Sequence, residues 1–147
     1  MIRNRTKKRG GRANYIAAPA FFNLNHACAV LLEAFPRANV GCYLVGSALV
    51  RRDHRDVDVR LMLSDEEYDR MFRVSGGYMD ALWSLMCTTI SLWLSQQTGL
   101  PIDFQIQRTS NANAEYPQGP SRAGERQPLG LFRGYPGDFP SLGKTTP

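Results

Sequence analysis

Residues 40–63 read VGCYLVGSALVRRDHRDVDVRLML. Val40-Gly41-Cys42-Tyr43-Leu44-Val45 is a short apolar run closed by Gly46-Ser47, the pattern of a buried strand. Asp56-Val57-Asp58-Val59-Arg60-Leu61-Met62-Leu63 alternates polar and apolar residues at its start, the period of a half-buried strand. Between the two, Ala48-Leu49-Val50-Arg51-Arg52 has room for one turn of helix.

Working outward, Phe21, Leu24, Cys28, Leu31, Leu32 and Phe35 fall at helical spacing, with Pro19 near the start and Pro36 as a stop. Downstream, Ser64 and Glu67 stand three apart and form a capping box, so a short helix follows with Tyr68, Met71 and Phe72 inward. Gly76-Gly77 breaks it. A long helix is predicted from Tyr78 to Gln97, ended by Gly99 and Pro101. Ile102-Asp103-Phe104-Gln105-Ile106-Gln107 then alternates over six residues as a third strand. The order helix, strand, strand, helix, helix, strand makes an α/β (α+β) fold, a small mixed sheet of three or more strands covered on one face by helices.

The 147 residues allow one domain. With 43% hydrophobic and 21% charged residues the composition is that of an ordinary globular protein. Three widely spaced cysteines, Cys28, Cys42 and Cys87, exclude a disulfide scaffold and fit a reducing, cytoplasmic compartment. They read as small buried hydrophobes. Collagen, long coiled coils and repeat arrays are excluded because no such period is present. The two longest stretches free of acids, Lys and Arg, 13–32 and 81–102, are interrupted by polar residues, so no membrane span is expected.

The net charge of +5 is unevenly placed. Arg3, Arg5, Lys7, Lys8, Arg9 and Arg12 are all bases, and the remaining residues carry 12 bases against 13 acids. Residues 1–14 therefore read as a basic flexible arm able to meet a phosphate polyanion. Residues 110–147 hold six prolines and six glycines and read as an extended tail. The packed core is 15–109.

Alternate strand residues share a face and stand roughly 6.5–7 Å apart. Asp56 and Asp58 project from one face of their strand, while Val57, Val59 and Leu61 project from the other. In the third strand Asp103 shares a face with Gln105 and Gln107. If the strands are neighbours, three carboxylates converge, repel one another and call for a cation. Hard oxygen donors suit Mg²⁺ or Mn²⁺. The His26-Ala27-Cys28 pair is no zinc site. Two ions on shared carboxylates are a known solution for displacement at phosphorus. Gly46 permits close approach of backbone amides to an anion and Ser47 adds a hydroxyl donor, so a triphosphate could rest there. Arg51, Arg52 and Arg55 are candidates to clamp phosphates, and a solvated ion-pair loop with Asp53 and Asp56 stays open beside that reading. His54 reads as a surface residue, and Trp83, Trp93, Tyr43 and Tyr78 as core.

Val45-Gly46-Ser47, eight intervening residues and Asp56-Val57-Asp58-Val59 resemble the signature of the nucleotidyltransferase superfamily, the fold shared with DNA polymerase beta. The resemblance covers about residues 20–108 and extends to small stand-alone nucleotidyltransferase-like proteins of bacteria and their phages, where Asn111-Ala112-Asn113-Ala114 and Pro128-Leu129-Gly130 contribute to it. It implies a minimal nucleotidyltransferase fold. The implied activity is metal-dependent transfer of a nucleoside monophosphate from a nucleoside triphosphate to a hydroxyl acceptor, with release of pyrophosphate. By motif position, Gly46 and Ser47 would hold the β- and γ-phosphates, Asp56 and Asp58 the metals, and Asp103 would be the third carboxylate, assisting deprotonation of the acceptor. The chain departs from the pattern at Arg55, where many members carry serine, and in the 44 residues between Asp58 and Asp103. It also lacks the second module that usually grips base and acceptor, a role left to the tail, the arm or a second subunit. RNA, protein or a small molecule all fit as acceptor. The alternative expectation is an inactive relative that binds nucleotide or nucleic acid through residues 3–12.

Overall fold

The structure, a computed structural model, describes residues 14–35, 38, 41–73, 79–117 and 125–131. The expected breaker Gly76-Gly77, Val40, Tyr78, most of the basic arm and much of the tail lie outside these residues. The elements run α1 (Ala18–Ala34), β1 (Gly41–Val45), a 3-10 turn (Gly46–Leu49), β2 (Val57–Leu63), α2 (Asp65–Met71), α3 (Ala81–Thr98), β3 (Ile102–Arg108), α4 (Thr109–Glu115) and β4 (Gln127–Leu129).

Local chemistry sets most boundaries. Pro19 lies in the first turn of α1, where its missing amide costs nothing. Ser64 caps α2 by accepting from the Glu67 amide at 3.1 Å, while the Glu67 carboxylate pairs with Arg70. Asp80 starts α3: its carboxylate accepts from the amides of Trp83 and Arg73, at 3.1 and 2.7 Å. Gly99 ends that helix with φ of +76°, a left-handed conformation that glycine adopts without strain.

The sheet has four strands in the order β3-β2-β1-β4. β1 pairs antiparallel with β2 and β4, and β2 pairs parallel with β3. The β2–β3 register sets Val57 beside Ile102, Val59 beside Phe104 and Leu61 beside Ile106. These residues bury with Leu24, Cys28 and Leu31 of α1 and Leu94 of α3 in the main core. That is the apolar face the alternation predicts.

β3 is a sheet edge, and α3 closes it. Cys87, Ser91 and Ser95 repeat every four residues and accept from the amides of Ile106 (3.4 Å), Phe104 (2.9 Å) and Ile102 (3.2 Å). Four helical residues rise about 6 Å and two strand residues about 6.6 Å, so the two ladders match. An open edge with unpaired amides invites association, and this helix face removes it. Trp83 reinforces the contact, its indole donating to the Ile106 carbonyl at 2.8 Å.

The reading of residues 110–147 as extended chain needs correction. Thr109–Glu115 is helical, and Ala112 buries with Tyr43, Val45 and Met62 on the sheet face opposite α1 and α3. Gln127–Leu129 adds the fourth strand. Pro128 is tolerated there because an edge strand has one side without ladder bonds. Gly130 has φ of +81° and lies so close to α1 that a Cβ would stand 2.9 Å from Leu32 Cδ1 and 3.0 Å from the Ala29 nitrogen. At the other end Asn14, placed in the arm by the sequence, is buried and donates to Gln127 Oε1 at 3.0 Å. No helix among the described residues is long and apolar enough to cross a membrane.

Candidate active site at the Asp58–Asp103 strand ends

Topology brings three segments to one end of the sheet. β1 ends at Val45, which pairs with Asp58 near the start of antiparallel β2. β2 and β3 run parallel, so both begin at this end, and Asp58 stands in register with Asp103. The Gly46–Ser47 turn follows directly from β1. Asp56, one residue ahead of β2, is exposed; Asp58 and Asp103 are partly buried.

Gly46 is built into this arrangement. Its φ is +81°, and a Cβ on it would lie 2.3 Å from Asp58 Oδ2 and 3.2 Å from Asp58 Cγ. Conformation and space therefore both demand glycine beside that carboxylate. The turn is held by the Ser47 carbonyl, which accepts from the amides of Val50 and Arg51 at 3.0 and 2.9 Å.

The charges are coupled. Burial pushes the Asp58 carboxyl above its usual range, Arg60 opposes that shift, and the charges of Asp103 and Asp56 add to it. Two of the acids singled out from the sequence, Asp56 and Asp103, thus lie close enough to Asp58 to disfavour its ionisation.

Arg60 is the site residue that sequence reasoning missed. It is buried on β2, two residues beyond Asp58. Its Nη1 donates to the carbonyls of Asp103 (2.8 Å) and Val59 (3.1 Å), and Nη2 stands 3.5 Å from Asp103 Oδ2. Its Nε is buried with no partner among the described residues. Tyr116, after α4, lies against the same guanidinium; burial pushes its phenol up and Arg60 opposes that. The signal was present, because position 60 continues the 56–58 face. A lone arginine on an alternating strand carries no message until the paired strand is known.

The arginine loop is a solvated one. Arg51, Arg52 and Arg55 are exposed, and Arg51 Nε pairs with Asp53 Oδ1 at 3.5 Å rather than turning to the acids of the site. His54 departs from its surface reading. It is partly buried, with Nε2 3.4 Å from the Tyr15 carbonyl and Nδ1 buried without a partner among the described residues.

The donor set is all oxygen, which suits a hard divalent cation. Asp56, Asp58 and Asp103 against Arg60 leave an excess of negative charge that such an ion would balance. As the side chains stand they do not close a ligand set: among the described residues no three His, Cys, Asp or Glu groups are arranged to hold a metal. A polar cavity of about 550 Å³ lined by Asp69, Phe72, Arg73, Arg108 and Asn111 lies elsewhere. It is roughly 16 Å along β3 from Asp103. Arg108 in it is already held by Asp65 and Asp69, at 3.4 and 2.9 Å.

Compared with known proteins, the chain matches no family model, no curated protein and no solved structure.

Proposed function

We propose that the protein is a metal-dependent nucleotidyltransferase of the cytoplasm. It would move a nucleoside monophosphate from a nucleoside triphosphate to a hydroxyl acceptor and release pyrophosphate. The observation that carries this reading is Gly46 packed without room for a Cβ against Asp58, which itself stands in register with Asp103. A turn with no side chain can lie directly against the Asp58 carboxylate, so phosphates seated on its backbone amides would be next to cations held by the carboxylates. In this reading Asp56, Asp58 and Asp103 hold Mg²⁺ or Mn²⁺, which would neutralise charge developing on the phosphates. Gly46 and Ser47 seat the outer phosphates. Asp103 accepts the acceptor's proton, and Arg60 keeps Asp103 oriented through its backbone and side-chain contacts.

One observation favours a second reading. Arg60 already stands 3.5 Å from Asp103, as a resident counter-ion would in an inactive nucleotide-binding relative. The basic segment 3–12 would then supply the phosphate contacts.

Incubation with α-labelled nucleoside triphosphates, Mg²⁺ or Mn²⁺ and pools of RNA, protein and small-molecule acceptors separates the two. Label transfer that disappears in Asp58→Asn supports the enzyme. Binding of nucleotide without transfer, surviving Asp58→Asn and lost on removal of residues 1–12, supports the second reading. Transfer at full rate in Asp58→Asn sinks the proposed mechanism.

A further inference from the structure

The faces of α1 and α3 turned away from the sheet carry Phe22, Val30, Leu82, Leu85 and Leu92, and Met79 precedes α3; each is between 45% and 68% exposed. On α3 the leucines are not scattered. Positions 82, 85, 89 and 92 fall on one stripe of a helix, opposite the buried Cys87 and Leu94. α1 packs beside α3 on the same face of the sheet. Together the six side chains uncover the equivalent of roughly three to four whole residues, on the order of 600 Å². That reaches the upper end of the apolar patches of roughly 300–600 Å² that monomers expose.

The charge pattern selects the occupant. α3 contains no Asp, Glu, Lys or Arg in 18 residues, and α1 contains only Glu33. A helix face that meets an anionic membrane carries Lys or Arg on its flanks, and these helices have none. A neutral apolar stripe can instead face its own copy without like-charge repulsion. A standard interface buries about 800 Å² per partner, of which some 56–65% is apolar. The exposed apolar area here meets that need.

We infer that the protein forms a two-fold symmetric dimer through the outer faces of α3 and α1, with the axis near Thr89. Thr89 is exposed and lies at the middle of both the stripe and the helix. In such an isologous contact each stripe meets its own copy, so residues near the axis face themselves. Dimerisation uses the face opposite Asp58 and Asp103 and leaves both sites open. The inference stands apart from the proposed activity.

Sedimentation equilibrium of the full chain from micromolar to about 100 µM tests it. The expected mass is twice that of the chain, falling to the single-chain mass in Leu85→Lys/Leu92→Lys, whose circular dichroism stays that of the parent. Thr89→Cys is expected to form a disulfide-linked dimer on mild oxidation, while Glu66→Cys, exposed on α2, does not. A single-chain mass throughout that range overturns the proposal and assigns the stripe to another occupant, such as residues 132–147. So does a dimer that survives the double substitution, or a Thr89→Cys chain that does not cross-link.

Discussion

Replacing Gly46 by alanine tests whether the turn and the Asp58 carboxylate form one unit. A left-handed backbone costs a non-glycine residue about 1–2 kcal/mol. The added Cβ also meets Asp58 Oδ2 at 2.3 Å and Cγ at 3.2 Å, so the carboxylate must leave its place. Forced rearrangement of this kind costs a further 1–3 kcal/mol, roughly. Gly46→Ala should therefore destabilise by about 2–5 kcal/mol, measured as a lower urea midpoint at unchanged slope. Asp58→Ala removes both close contacts and leaves only Cβ, at an ordinary 3.4 Å. In that background Gly46→Ala should cost only the backbone strain of about 1–2 kcal/mol. The double-mutant cycle then shows a coupling of about 1–3 kcal/mol, well above the ~0.5 kcal/mol scatter of independent sites. Additive effects would refute the close packing of Gly46 on Asp58, and with it the observation on which the proposed function rests.

Three other outcomes are expected. Burial first, and Asp103 and Asp56 next, hold the Asp58 carboxyl above its usual range, so the folded state binds a proton more tightly than the unfolded chain. Its cost to stability is absent below the ordinary carboxylate pKa, sets in as pH rises through the raised value and is complete above it. Asp58→Asn should accordingly raise the melting temperature at pH 7 and lose that advantage on acidification below pH ~3.8; an equal gain at both pH values would contradict the shift. Arg60→Met strips a donor from the Val59 and Asp103 carbonyls and should cost about 1–3 kcal/mol. If the three carboxylates share a cation, millimolar Mg²⁺ raises the melting temperature of this variant more than that of the parent; equal shifts count against the cation. Ser91→Ala removes the acceptor for the Phe104 amide, and a loss of about 1–3 kcal/mol with faster hydrogen exchange at Phe104 is expected. Unchanged exchange there would show that α3 does not close the edge of β3.

Much of the site was readable because strand alternation has a period of two. Once Val57, Val59 and Leu61 are assigned to a core, Asp58 has only one direction left, and the same holds for Asp103 between Ile102 and Phe104. Two helix limits were equally local, Ser64 before α2 and Gly99 after α3, whereas the cap Asp80 was passed over for a start at Tyr78. The edge-closing ladder of Cys87, Ser91 and Ser95 was hidden. A four-residue spacing of small polar residues gains meaning only when a strand lies alongside it.

The sequence alone determined which residues are apolar, that Ser64 opens one helix and Gly99 closes another, and that Asp58 and Asp103 carry charge on strand faces with Asp56 just ahead. Those properties depend on each residue and its near neighbours. Tertiary structure alone decided that β2 and β3 are parallel partners in a register that sets Asp58 beside Asp103, and that Arg60 lies across the pair. It also drew residues 127–129 in as a fourth strand, with Gly130 against α1. Strand pairing joins segments tens of residues apart, and no local pattern records which edges meet. The same is true of the close approach of Gly46 to Asp58, a contact between two strand ends that exists only once β1 and β2 have paired.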